Sequence, residues 1–335
     1  MHSQGGLTLI IGGPRSGTTW LSKLFDCHPD VLYRHEPDLV WIAEEVPHIC
    51  PDGCEMPFLA ATTEYARRLV DIHTLKTAGS RPVFAKSYES APLRILRKVS
   101  IVGLRALLAV FPASTVNKVS VPEFFDSDRR ARLHVVIKSV TSLGRAGLMA
   151  RAMPTARIIL ILRNPFGQIA SRLRGEAQGN LAPRRRDPAL LLTRWAAIFG
   201  LTEAKLESCD DVDYLAYEWA ILNQKAIDEL EGMERVRIVR HGDLVRAPIR
   251  GAQDLYEFAG LPWHEATADF IARSVSHQGP ERYFDVMRDG DTLLERWRED
   301  LTAEQQDAIR RIIGRTPLAA RWPELFPVRE TAAAA

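Results

Sequence analysis

Leu7-Thr8-Leu9-Ile10-Ile11-Gly12-Gly13-Pro14-Arg15-Ser16-Gly17-Thr18-Thr19-Trp20-Leu21 decides how the rest of the chain is read. Its first five residues are too few to cross a bilayer and too uniformly apolar for a half-exposed strand, so they predict a buried central strand of a parallel sheet. The glycines at 12, 13 and 17 permit a sharp turn and close approach of backbone to a ligand. A helix opening at Thr18 then offers unpaired first-turn N–H groups and the positive end of its dipole, which together make an anion site. The stretch predicts a phosphate cradle. The blander alternative, a tight strand-to-helix turn without a ligand, leaves the basic residue and the hydroxyl run unexplained.

The loop also says which phosphate it suits. Laid on G-x-x-x-x-G-K-[ST], Gly12 and Gly17 fall in place and Thr19 takes the Mg-binding hydroxyl position, but Thr18 stands where the lysine belongs. A kinase or ATPase needs that lysine for the β- and γ-phosphates. Here the cation is Arg15, ahead of Ser16-Gly17-Thr18-Thr19, an arrangement suited to one phosphate carrying one further tetrahedral anion. Residues 14–21 resemble the 5′-phosphosulfate loop of sulfotransferases that use 3′-phosphoadenosine 5′-phosphosulfate (PAPS). The resemblance implies a P-loop nucleotide-binding fold, a donor held by Arg15, Ser16, Gly17, Thr18, Thr19 and Trp20, and 3′-phosphoadenosine 5′-phosphate (PAP) as product.

The 335 residues have room for one large α/β domain or two small ones, and no linker is evident, so a single domain over residues 1–335 is expected. Hydrophobic residues at 46% and charged residues at 26% are ordinary for a soluble enzyme. A net charge of +2 makes no field that demands nucleic acid. Cys27, Cys50, Cys54 and Cys209 are too few for a disulfide scaffold. His48, Cys50 and Cys54 offer half a zinc site with no second pair to complete it, so no metal is expected there and one local disulfide stays open. The amino terminus lacks a basic region before an apolar core. The most apolar segment, residues 95–111, is interrupted by Arg97, Lys98 and Arg105. Neither a signal peptide nor stable membrane insertion is expected, and a cytoplasmic location follows.

Short β-branched runs at residues 133–139, Arg157–Leu162 and 235–240 alternate with helical stretches. With Leu7–Ile11 and an extended piece at 31–33, they predict a three-layer α/β domain around a parallel sheet of about five strands with right-handed crossovers. Residues 83–85 are a further candidate strand. Helices are expected over 64–75, 92–110, 190–207, 214–231, 249–258 and Ala303–Ile313, the last opened by capping-box spacing between Thr302 and Gln305. Residues 38–132 read as a mostly helical insertion that shapes the acceptor pocket together with 173–187, and residues 330–335 as a disordered tail.

Ligands of open α/β sheets sit beyond the carboxyl ends of the strands, and Arg163 follows Arg157–Leu162 at such an end. Pro165 suits the first position of a helix, and Ser171 lies two turns in. An arginine and a serine converging there hold phosphate by charge-assisted hydrogen bonds, whereas a triphosphatase would want an aspartate for Mg²⁺. The blander reading is an arginine salt-bridged at the sheet edge. Arg163 with Ser171 resembles the 3′-phosphate clamp of the same sulfotransferases, the feature that tells PAPS from ATP. These two pockets, one at Arg15 and one at Arg163, are expected to grip opposite ends of one nucleotide.

The reaction needs a base, and Glu36 with its rival His35 emerges after the first helix and its loop. In tyrosylprotein and carbohydrate sulfotransferases a glutamate stands at a similar distance after a segment like His28-Pro29-Asp30, which implies that Glu36 takes the acceptor's proton. The resemblance also implies that Lys138 steadies the sulfuryl group, with Lys86 as runner-up, and that Arg288 closes over the nucleotide. Trp219 and Asn223 match more weakly. Arg240-His241-Gly242-Asp243-Leu244 departs from the family's frequent Arg-Tyr-Glu-Asp-Leu.

The expected activity is sulfuryl transfer from PAPS to a hydroxyl of a carbohydrate or a small phenol or alcohol, without metal, with Arg15, Lys138 and the loop N–H groups stabilising charge on the sulfuryl oxygens and the departing phosphate. A peptide tyrosine stays open as acceptor, and so does the oligomeric state. The alternatives are a kinase-like phosphotransferase using ATP and Mg²⁺, and a non-catalytic module that senses PAP. Arg184-Arg185-Arg186 reads either as an anionic-acceptor contact or as a solvated charge run.

Overall fold

The computed structural model describes residues 5–108, 110–116, 118–125, 127–275 and 294–326. Its sheet consists of β1 (Leu7–Ile11), β2 (Val31–His35), β3 (His134–Ser139), β4 (Arg157–Leu162) and β5 (Val236–Arg240), all parallel, in the order β2-β3-β1-β4-β5. The apolar run that begins the phosphate loop is the central strand, with Ile10 opposite Lys138 on β3 and Ile11 opposite Leu160 on β4.

Successive side chains of a strand point to opposite faces, and both faces are covered. Leu9, Ile11, Ile137, Leu160 and Leu162 pack into one layer with helices Met56–Asp71, Asp211–Leu230 and Ala303–Ile313. Ile10, Val136, Ile159 and Ile161 pack into the other, with helices Thr18–Asp26, Pro248–Ala259 and Glu265–Val275. This is the expected three-layer α/β architecture. The chain leaves β1 toward β2 and leaves the adjacent β4 in the opposite direction toward β5. The crevice between the carboxyl ends of β1 and β4 is therefore the sheet's topological switch, where such folds take ligands.

Several elements depart from expectation. Residues 83–85 form no strand; the Phe84 carbonyl instead accepts from Arg97 Nη2 at 2.9 Å. Residues 190–207 are not one helix but a 3₁₀ turn Pro188–Leu192 and two short helices, Arg194–Phe199 and Glu203–Ser208. Gly200, left-handed at φ 62°, ends the first of these helices, and the Thr193 and Thr202 hydroxyls cap the two starts. Helix Ala91–Leu107 stops short of residue 110. Ala303–Ile313 begins where the capping box predicts, with both reciprocal bonds formed. Residues 330–335 lie outside the described residues.

Candidate active site

The turn after β1 is crowded. A Cβ on Gly12 would lie 2.6 Å from Ser16 Oγ, and one on Gly17 would overlap His241 Cδ2. Gly17 also has φ 96° as the N-cap of helix Thr18–Asp26, with no side chain capping that end. The helix thus presents its first-turn N–H groups beside a glycine backbone, the arrangement that binds phosphate oxygens. Ser16 Oγ is buried without a hydrogen-bond partner among the described residues. An orphaned hydroxyl, an uncapped helix start and a glycine cradle suit an anionic group.

Among the described residues, the two non-glycine residues with left-handed backbone are Arg15 at φ 68° and Glu36 at φ 49°. Such conformations cost about 1–3 kcal/mol and collect at functional sites. The Arg15 side chain turns toward helix Pro165–Ala177, where its Nε donates to Ser171 Oγ at 3.1 Å. Arg163 Nη1 donates to the Arg15 carbonyl at 2.9 Å. The two anion pockets expected at opposite ends of a ligand are therefore one continuous basic surface. Gln168 fastens it from behind, donating to the Pro14 carbonyl at 2.9 Å and accepting from Trp219 Nε1 at 3.1 Å.

On the other side of the loop, Lys138 Nζ pairs with the Glu36 carboxylate and donates to Thr19 Oγ1 at 3.2 Å. The Glu36 backbone N–H donates to the Lys138 carbonyl at 2.8 Å, so the ends of β2 and β3 hold each other. Burial lowers the Lys138 pKa while the Glu36 charge opposes the shift. Lys76 Nζ stands 3.9 Å from the same carboxylate. His35, hydrogen-bonded through Nδ1 to the Tyr33 hydroxyl at 2.8 Å, is held well below its usual pKa, first by burial and then by Lys138, Lys23 and Lys76. It is a neutral and weakly basic imidazole at physiological pH.

The remaining expected residues divide. Trp20 Nε1 donates to Ser274 Oγ at 3.1 Å, fixing the indole near the loop helix. Thr18 is buried in the helix start. Lys86 lies far from this chemistry: its Nζ is 3.0 Å from Asp26 Oδ1 and 3.2 Å from the His28 carbonyl, at the other end of the loop helix. Arg288 falls outside the described residues. His48 bonds to Asp187 at 2.8 Å, and Cys50 and Cys54 are both free thiols. In the triple-arginine run, Arg184 pairs with Glu218, and Arg186 pairs with Asp211 at 2.8 Å, so these two are not simply solvated.

Two residues were missed. Asp38 is buried and accepts from the hydroxyls of Ser139, the last residue of β3, and Thr141 just beyond it; its place two residues after Glu36 was the available signal. His241, buried against Gly17, has its pKa pushed down to about 3 by burial and by Arg163. The only hint was that residues 241–242 break the family pattern.

A cavity of about 460 Å³ opens beside the loop. It is bordered by Gly13, Pro14, Val140 and Thr141 and floored by Leu143, Leu215, Trp219 and Leu222, with the His48–Asp187 and Arg184–Glu218 pairs on its wall. A wider groove of about 1030 Å³ runs along β5 and touches none of the loop residues.

A glycine loop at the switch point, a flanking basic surface and a carboxylate–lysine pair meet at the carboxyl end of the sheet, an arrangement suited to an anionic group. The comparisons agree: the sequence model of the Sulfotransferase family matches residues 8–265, and the chain belongs to that family, whose chemistry is sulfuryl transfer. It is 24% identical over 328 residues to Carbohydrate sulfotransferase 1 of Danio rerio, covering 89% of this chain and 73% of that one. It is 25% identical over 317 residues to the nodulation protein NoeE of Sinorhizobium fredii (strain NBRC 101917 / NGR234), covering 92% of this chain but 64% of the relative, just under two thirds. Among solved structures, the sulfotransferase domain from the curacin biosynthetic pathway overlays with TM-score 0.43 at 17% identity, covering 92% of this chain and 97% of that one. Mouse sulfotransferase SULT7A1 complexed with PAP overlays with TM-score 0.41 at 12% identity, covering 97% and 90%.

Proposed function

We propose that the chain is a PAPS-dependent O-sulfotransferase acting on a hydroxyl of a small-molecule or carbohydrate acceptor. What supports this most is the joining of Arg15, Ser171 and Arg163 into one surface at the phosphate loop. An ATP-using enzyme has no need for a second phosphate clamp on that side of the loop. In this reading Arg163 and Ser171 hold the 3′-phosphate, and the loop from Ser16 to Thr19 holds the 5′-phosphate. Arg15 belongs to the loop by its backbone and to the clamp by its side chain. Trp20 lies against the nucleoside.

The acceptor enters through the cavity beside Gly13 and Pro14. Glu36 accepts the proton of its hydroxyl as the oxygen bonds to sulfur and the bond from sulfur to the 5′-phosphate breaks. Lys138, seated between Glu36 and Thr19, stabilises charge on the sulfuryl oxygens and the departing phosphate. The purified chain is to be incubated with cell extract and isotope-labelled PAPS and the products weighed by mass spectrometry. A compound gaining one SO₃ is the expected result; γ-phosphate transfer from ATP would instead support the phosphotransferase reading.

A further inference from the structure

More than half of the exposed large apolar side chains among the described residues fall between positions 95 and 119. Helix Ala91–Leu107 is fixed to the body by one face only, through buried Ile101 and an ion pair between Arg97 and Glu89. Its outward face carries Ile95 at 64%, Val99 at 62% and Val102 at 59% exposure, stacked at helical spacing. The turn beyond continues the patch with Val110 and Phe111. Isolated exposed apolar residues need no explanation, but a contiguous row marks an interaction surface.

The charge beside this row is one-sided. Residues 91–120 contain Arg94, Arg97, Lys98, Arg105 and Lys118 and no Asp or Glu, in a chain of 44 basic and 42 acidic residues. On the helix, exposed Lys98 lies beside the apolar row with half-buried Arg94 next to it, while Arg105 Nη2 turns back to donate to the Gly79 carbonyl at 2.7 Å. No helix of the described residues is long and apolar enough to cross a membrane. An apolar row flanked by basic residues is the pattern of a helix lying in a lipid interface rather than spanning it. A second copy fits poorly, because a two-fold contact would set the same basic side chains against each other.

We propose that helix Ala91–Leu107 and the turn after it form a peripheral docking surface for anionic phospholipid membranes. The test is flotation of the full chain with vesicles. The wild type should float with equimolar phosphatidylglycerol and phosphatidylcholine, far less with phosphatidylcholine alone, and be released by high salt. Val99→Asp with Val102→Asp should cut partitioning by roughly tenfold or more, the scale of withdrawing one buried valine. Lys98→Glu with Lys118→Glu should cut it at least roughly fivefold per lysine, and these exposed changes should leave the melting temperature unchanged. Failure of the wild type to bind anionic vesicles would overturn the proposal. So would binding indifferent to both double variants, or a wild-type dimer in sedimentation that the valine variant dissolves while vesicles stay unbound.

Discussion

Arg15 and Ser171, 156 residues apart in the chain, meet at 3.1 Å between Nε and Oγ. One belongs to the turn after β1 and the other to the helix after β4, and the switch-point crevice is what brings these elements together. The contact joins the glycine turn to the elements that follow β4, and Arg163 reinforces it by donating to the Arg15 carbonyl.

Gly17 should not tolerate a side chain. Its left-handed φ of 96° and the overlap that any Cβ at this position would have with His241 Cδ2 both oppose Gly17→Ala. We expect a loss of about 1–3 kcal/mol in unfolding free energy and severely weakened PAP binding, read by denaturant melts and calorimetry. Adding His241→Ala should recover part of the stability by removing the clash, while the positive φ keeps the recovery incomplete.

Glu36 as base predicts that Glu36→Gln lowers kcat by about 10²-fold or more with little change in PAP affinity. His35→Asn should retain most of the turnover, because that imidazole is a weak base in its buried, lysine-ringed position. Steady-state kinetics of the two variants decide between them, and full activity of Glu36→Gln would transfer the role to His35.

The loop and its helix were legible because backbone geometry there leaves little choice: three glycines at fixed spacing and a short apolar run have few other uses. Ala303–Ile313 was legible for a similar local reason, its capping box. Residues 190–207 misled because their apolar spacing is helical throughout, while the break depends on Gly200 adopting a left-handed cap. Long-range pairing was invisible. Nothing in the spacing of Lys86 shows that it neutralises Asp26, nor does the position of Arg15 show that its side chain reaches Ser171. Those contacts depend on how helices cross the sheet.

Buried histidines should make the fold acid-labile. His28 and His134 are each pushed down to about 4 chiefly by burial, His241 to about 3, and His35 well below its usual value. A folded-state pKa below the unfolded value of 6.5 means the unfolded chain binds more protons, so stability is full above that pH and falls as pH drops toward the folded values. Each fully buried histidine should contribute a loss on the order of 1 kcal/mol by about pH 5.5. Melting temperature measured against pH should decline below neutrality, and His134→Gln should flatten the decline.

The cavity beside Gly13 should govern the acceptor alone. Leu39 is 40% exposed and lies on its wall, so Leu39→Trp narrows it without touching Arg15, Arg163 or Ser171. We expect the acceptor KM to rise roughly tenfold, the scale of misfitting one or two methylene-sized groups, with PAP affinity unchanged. A rise in PAP Kd would mean that the nucleotide occupies this space.

The most direct measurement is calorimetric titration of the wild type and of Arg163→Ala with Ser171→Ala, using PAP and adenosine 5′-phosphate as paired ligands. If Arg163 and Ser171 clamp a 3′-phosphate, the wild type binds PAP at least about 100-fold more tightly, and the gap nearly vanishes in the double variant. Equal affinity of the wild type for both ligands, or a gap that survives both substitutions, would contradict the account.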